Sequence, residues 1–294
     1  MSAALPEAAA VARPGRLRRL AALLDPRARP ARWPILIALA TILGWVVVGA
    51  TIDLWAPYDP VALAGRRLQP PSAAHWLGTD ALGRDVLVRT LYGVRFSLPI
   101  AVGVLVTAVA IGCFLGALAG YFGGLLDGAL MRLADVTLSF PPMLLAMAIA
   151  ASLGPGLFNA GLAMVIVWWP IYARLMRAQV LSVRSLEHVD AAVAMGASSP
   201  RILVRHVLPL CWTPILVNAT VDISQVILLV AGLSFIGLGA RPPTPEWGQM
   251  IAEGATNFYN WWIATGPGLA ILSLALAFSF IGDGLRDMLD PRSR

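Results

Sequence analysis

Long uncharged runs alternate with short charged ones along this chain, and that alternation predicts its elements. Residues 33–52 carry no charge and have about the length a helix needs to cross a bilayer. Residues 96–126 form a second such run that ends near Gly120, Gly123 and Gly124, and a short polar crossing marked by Asp127, Arg132 and Asp135 follows. Residues 136–173 are again uncharged and too long for one helix. Gly154-Pro155-Gly156 breaks them, which predicts helices over about 136–153 and 157–178 joined by a tight outer turn. Residues 207–240 are interrupted by Asp222 alone, and residues 254–282 by no charge. The pattern predicts an all-α integral membrane protein with six transmembrane helices: a tail over residues 1–32, a first span over 33–53, an outer loop over 54–95 and a core over 96–294.

The longest polar stretch of the second half, residues 187–209 within a loop over 185–209, lies between two runs that can span. Its first part, from Leu186 and Glu187 to Met195, sets apolar side chains at helical spacing, with Ala191, Ala192 and Ala194 small enough for another surface to come close. Gly196 ends that helix as a residue free to take positive φ. Ser199 and Pro200 start a second one, the serine oxygen as cap and the proline at the first helical position. Arg201 and Arg205 share one of its faces while Leu203 and Val207 lie roughly opposite, so the hairpin has a basic side. The plainer alternative is a solvated loop whose arginines only fix topology.

The outer loop, with prolines at 57, 60, 70 and 71, leads to a pattern that predicts a surface helix from Thr79 or Asp80. Leu82, Val86 and Leu91 would form its apolar stripe, with Asp85 paired to Arg89 one turn on. Thr244 followed by Pro245 predicts a further helix start within residues 241–250. Trp247, Trp261 and Trp262 fall where an outer interfacial belt belongs.

Composition narrows the function classes. With 58% hydrophobic and 13% charged residues, a water-soluble chain of 294 residues would lack polar surface. All 22 basic residues are arginine. There is therefore no P-loop lysine, Schiff-base lysine or lysine general base, and no standard nucleotide-hydrolysing site. The net charge of +6 arises from arginines flanking apolar runs, where they orient the chain rather than bind nucleic acid. Cys113 and Cys211 sit in apolar runs without metal-site or disulfide spacing and read as packing residues. His75, His188 and His206 fall in predicted loops, so no His-Cys-carboxylate cluster points to an intramembrane enzyme, a metal or a cofactor. A cytoplasmic N-terminus puts sixteen arginines inside, seven of them in the tail, and six outside, Arg66, Arg67, Arg84, Arg89, Arg95 and Arg241. That is the orientation the positive-inside rule favours. The tail either lacks fixed structure or forms one short surface helix through Leu17, Leu20, Leu23 and Leu24.

The spacing Asp190-Ala191-Ala192, Gly196, His206, Leu208-Pro209 resembles the EAA loop of ABC importer permeases, with Asp190 and His206 in place of the family's glutamate and isoleucine. Three further segments are similar to the DppC/OppC-type subunit of dipeptide and oligopeptide importers: HWLGTDALGRDVLVRTLYGVRFSL at residues 75–98, LSFIGLG at 233–239 with PPTPEWG at 242–248, and GDGLRDMLDP at 282–291. That resemblance implies a second, DppB-like permease, two cytoplasmic ATP-binding subunits that do the hydrolysis, an extracytoplasmic peptide-binding protein and a peptide in transit through the lipid membrane. Glu187, Asp190, Ala191, Ala192, Gly196, Arg201, Arg205, His206, Leu208 and Pro209 become the ATPase-coupling loop. Asp80, Arg84, Asp85, Thr244, Glu246 and Trp247 become candidates for docking the binding protein. Nickel and glutathione importers share this architecture. A proton-coupled carrier fits six spans and a mid-membrane Asp222, but no second copy of the hairpin suggests paired repeats.

Asn218, Asp222 and Gln225 are spaced four and three apart and share one helical face near the middle of the fifth span. A lone carboxylate facing lipid costs roughly 2.5 to 3.5 kcal/mol, so this face looks inward. It lines the translocation path, or Asp222 is structural and hydrogen-bonded to a neighbouring helix or to the partner permease.

Overall fold

The computed structural model describes residues 32–289, which form ten α-helices and one π turn, with no strand beyond an isolated bridge between Thr79 and Asp85. Residues 1–31 of the arginine-rich N-terminal tail, with Leu17, Leu20, Leu23 and Leu24, lie outside the described residues, as do residues 290–294, which include the last two of the C-terminal motif. In chain order the helices are α1 (Arg32–Trp55), α2 (Val86–Phe122), α3 (Gly124–Leu138), α4 (Pro142–Leu153), α5 (Leu157–Val183), α6 (Glu187–Ala194), α7 (Ser199–Ile202), α8 (Leu208–Phe235), α9 (Trp247–Thr256) and α10 (Trp262–Leu289). Five segments are long and apolar enough to cross a membrane: Trp33–Trp55, Val86–Phe122, Leu157–Val183, Ser199–Phe235 and Trp262–Met288. The pair α3 and α4, bent by 94°, supplies a sixth when counted as one broken span.

Two boundaries differ from the sequence expectation. The helix expected at 136–153 starts earlier, at Gly124, and breaks over residues 139–141. Pro141 and Pro142 together remove two amide donors, and Pro142 instead sits in the first turn of α4. Asp127 and Asp135, expected in a polar crossing, belong to α3 and pair with arginines of α5: Arg177 Nε and Nη2 donate to Asp127 at 2.5 and 2.6 Å, and Arg174 pairs with Asp135. The outer surface helix expected from Thr79 or Asp80 does not form. Residues 79–85 are a loop, and the helix begins at Val86 and runs unbroken into the span. Asp85 is its N-cap and accepts from Val88 N at 2.8 Å.

α2 and α5 form the central pair. A Cβ at Gly112 would come within 2.4 Å of Trp169 O, at Gly116 within 2.2 Å of Ala173 O, and at Gly120 within 2.9 Å of Arg177 O. The contacts advance by four residues on both helices in the same sense, so the helices run parallel along a strip where only hydrogen fits. In lipid, apolar side chains gain little from meeting one another, and such backbone approach is what holds spans together. α10 packs on α8 and α1, with Trp45 Nε1 of α1 donating to Ser273 Oγ of α10 at 2.9 Å. α9 lies across the end of the bundle, with Gly248 against Ala231 of α8 and Gly254 against Ala264 of α10.

Gly116→Ala should therefore destabilise the protein by roughly 2 to 3 kcal/mol, as overpacking does. Gly103→Ala on the same helix, where a Cβ meets nothing within 4 Å, should leave stability unchanged or slightly raised. Unfolding midpoints in detergent compare the two; equal midpoints would contradict the close-contact account.

Candidate functional sites: a polar hairpin, an outer cap and a mid-membrane carboxylate

The hairpin forms as the glycine predicts. Gly196 takes φ +77°, its N–H donates to Val193 O at 2.9 Å, and Ala197 N donates to Ala192 O at 3.1 Å. This closing pair satisfies the last carbonyls of α6 and requires a left-handed residue between them. A Cβ on Gly196 would meet nothing within 4 Å, so only backbone strain and any partner's surface restrict the position. The second helix starts one residue earlier than expected, at Ser199, with extended Ser198 as the cap residue and no side-chain capping bond. Pro200 in the first turn fixes the entry on its own.

The chain then widens into a π turn over Leu203–Val207, closed by Leu208 N donating to Leu203 O. Pro209 has no N–H to offer the carbonyl four residues back and its ring would press on it, so the wider turn relieves both. Val189, Ala192, Ile202, Leu203 and Val207 turn inward and join the main core. Glu187, His188, Asp190, Ala191, Arg201, Arg205 and Pro209 stay exposed, His206 and Leu208 are half-buried, and Met195 at the tip is 81% exposed. Of the alanines, only Ala191 and Ala194 face outward.

At the opposite end the candidate docking residues lie inside the protein. Asp80, Arg84, Asp85, Glu246 and Trp247 are all buried, and Thr244 is half-buried. Asp80 Oδ2 receives Arg84 Nε at 2.6 Å and lies 3.3 Å from Arg89 Nε, and its Oδ1 accepts from Leu82 N and Arg84 N. Arg84 Nη2 reaches Glu253 Oε2 on α9 at 3.2 Å, while Arg89 Nη1 donates to Pro60 O and Pro243 O. Asp85 pairs with His75 Nδ1 at 2.8 Å and not with Arg89. Its position at the helix start commits one oxygen to capping, and the loop brings Asp80 to Arg89 instead.

The cap of α9 is Glu246, which accepts from Gly248 N and Gln249 N, where Thr244 was expected. Trp247 and Trp262 are no interfacial belt. Both are buried, donating from Nε1 to Thr90 O at 2.8 Å and to Thr79 O at 3.1 Å, and only Trp261 is exposed. These buried charges knit the 54–85 loop, α2 and α9 into one cap rather than offering a contact surface. His75 and Glu253 belong to it although the sequence pattern assigned them no role there, and Arg89 belongs to it through Asp80 rather than Asp85. Arg89 follows the apolar residues Val86, Leu87 and Val88, the one sign of its burial that the sequence offers.

Asp222 stands midway along α8 and is half-buried. Its Oδ2 accepts from Tyr172 Oη at 2.7 Å and Trp168 Nε1 at 3.3 Å, both on α5. Asn218 and Gln225 are exposed on the same face, with the Asn218 amide donating to Pro214 O. The opposite side of α8 is taken up by Ser224, bonded to Ala275 O and Ser279 of α10. Neither Tyr172 nor Trp168 stood out in the sequence, because each lies in an apolar run more than forty residues away.

The family profile described as "Binding-protein-dependent transport system inner membrane component" matches residues 112–294. The chain belongs to this family. Similar relatives include the probable D,D-dipeptide transport system permease protein DdpC of Escherichia coli K12, 45% identical over 265 residues, 88% of each chain. The dipeptide transport system permease protein DppC of Alkalihalophilus pseudofirmus is 45% identical over 229 residues, 78% of this chain and 75% of that one. The nickel transport system permease protein NikC of E. coli K12 is 39% identical over 267 residues, 89% of this chain and 95% of that one. Among solved structures, a chain of the MetNI methionine ABC transporter in an inward-facing conformation shares the fold at 22% identity and a TM-score of 0.56, covering 70% of this chain and 97% of that one. This permease is therefore a multi-pass inner-membrane subunit of an ABC importer of the DppC/OppC type, a membrane component and not an enzyme.

In the permease's outer cap, burial above all holds the Glu246 carboxyl above its ordinary value of 4.5, against the opposing bonds from Gly248 and Gln249. Burial, then the charge of Asp80, does the same to Glu253. A raised folded value means that the folded cap binds the proton more tightly than the unfolded chain. The contribution of these two carboxyls to stability is thus fully present below pH 4.5 and is lost as pH rises from there through the raised values. Glu246→Gln should make that fall shallower in unfolding midpoints measured across the window, and an unchanged slope would contradict the assignment.

Proposed function

We propose that this permease imports di- and oligopeptides, shares its path with a second, DppB-like permease, and couples through the hairpin to two cytoplasmic ATP-binding subunits while an extracytoplasmic binding protein delivers the peptide. The observation that carries the coupling is the hairpin itself. Its inner face is anchored in the core through Val189, Ala192, Ile202 and Val207, while its tip exposes Met195, Val193 and the basic face of Arg201 and Arg205. A rigid root with an uncovered apolar and charged tip suits a lever pressed by another protein. The names of the dipeptide relatives support the peptide cargo. The arginine count supports a cytoplasmic hairpin. Delivery would meet the exposed outer side chains above the cap, Trp76, Leu82, Phe258 and Tyr259, rather than the buried charges beneath them. The polar face of Asn218, Asp222 and Gln225 would line the path. The nickel relative supports a second reading, the same machinery carrying a metal ion.

Gly196→Arg should leave insertion and folding intact and abolish uptake of radiolabelled dipeptide, because the left-handed turn is strained and the tip blocked. Normal uptake by that variant would reduce the hairpin to a loop. In a cysteine-free background, cysteines at Leu82 and Tyr259 should react with an impermeant thiol reagent added outside, and labelling of these two only after lysis would invert the topology. Uptake of nickel without uptake of dipeptide would select the second reading.

A further inference from the structure

Both donors that reach Asp222 from α5 bind the same oxygen. Tyr172 Oη and Trp168 Nε1 converge on Oδ2. Tyr172 and Trp168 are themselves buried, so the orientation of the carboxylate is fixed from behind. Oδ1 accepts no hydrogen bond among the described residues, and it is not one of the fully buried unpartnered polar atoms, so it keeps some accessible surface. Asp222 shares its side of α8 with exposed Asn218 and Gln225, four residues before it and three after. Asn218 directs its amide to Pro214 O in the preceding turn of its own helix. The nearest arginines along α5, Arg174 and Arg177, are committed to Asp135 and Asp127. A clasp between α5 and α8 therefore accounts for one oxygen and leaves the other unpartnered and partly accessible at mid-span.

We propose that Asp222 Oδ1 is a cation-accepting subsite in the translocation path, which takes the ammonium or guanidinium group of a passing peptide side chain. An ionised carboxylate oxygen is acceptor-only, and its bonds to cationic donors are about twice as strong as neutral ones. One open oxygen on one residue, with no second acid beside it on α8, holds a cation briefly and lets it go. That suits a group the peptide passes rather than a site where it rests. The clasp from Tyr172 and Trp168 sets the direction, and the amides of Asn218 and Gln225 keep the approach polar without adding charge. The subsite rests on the importer reading above.

The test is a ratio of initial uptake rates, alanyl-lysine over alanyl-glutamate, in proteoliposomes holding the complete transporter. The same binding protein delivers both peptides in every variant, so its own preference cancels when variants are compared. Asp222→Asn should lower the ratio about three- to tenfold, as a charge-assisted bond is lost. Gln225→Lys sets a cation one turn away on the same face and should lower the ratio in the same direction, without touching the bonds of Oδ2 to Tyr172 and Trp168. If Asp222→Asn fails to assemble, Gln225→Lys carries the test. An unchanged ratio in assembled variants, whether uptake of both peptides is normal or equally reduced, overturns the subsite and leaves Asp222 as a clasp or as a seat for the second permease. If the unmodified transporter moves neither peptide, the peptide reading itself fails and the subsite with it.

Discussion

The close approach of α2 to α5 is the contact on which the other arrangements depend. Three glycines, Gly112, Gly116 and Gly120, let the two backbones touch where any side chain would collide with Trp169, Ala173 or Arg177. Between spans in lipid there is no water to expel, so association rests on dispersion at short range and on polar bonds. Once α5 lies against α2, its other faces are committed. Arg174 and Arg177 hold α3, Trp168 and Tyr172 hold α8 at Asp222, and its end at Val183 leads within four residues into α6 of the hairpin. At its other end α2 begins in the outer cap, with Asp85 both closing the helix and binding His75.

Several charges that membrane-spanning segments carry cross to a different helix or loop. Asp127 meets Arg177, Asp135 meets Arg174, Asp53 meets Arg95, and Arg89 reaches Asp80 and two carbonyls. An isolated charge at such depth is costly, and breaking one member of a pair leaves the other stranded, so these pairs set register rather than add surplus stability. Asp222 crosses to α5 as well, but its partners there are the neutral donors Tyr172 and Trp168 rather than an arginine, which sets it apart from the ion-paired carboxylates.

Much of this was legible in the sequence because hydropathy and turn chemistry act locally. Uncharged runs gave the spans, and Gly196 gave the left-handed turn that ends α6. What was not legible depended on contacts between distant segments. Asp85 was assigned to Arg89 by helical spacing, but it caps the helix and pairs with a histidine ten residues earlier. Asp127 and Asp135 read as a loop because their arginine partners lie some forty to fifty residues on. Trp247 and Trp262 read as interfacial because burial of an indole needs a carbonyl that only the fold supplies. Buried charges in the outer cap read as a docking surface for the same reason: composition shows that a residue is polar, not which way it faces.

The central claim is that a rigid permease frame ends in a hairpin that another protein presses. The most direct measurement places a cysteine at Met195, the most exposed apolar side chain of the tip, in a cysteine-free permease co-expressed with its transport subunits. Short-span thiol-to-amine cross-linking is then followed with and without ATP. The account predicts an adduct between Met195→Cys and a cytoplasmic ATP-binding subunit whose yield changes when ATP is added. No such adduct from an assembled, transporting complex, or one formed only with an extracytoplasmic protein, would contradict it.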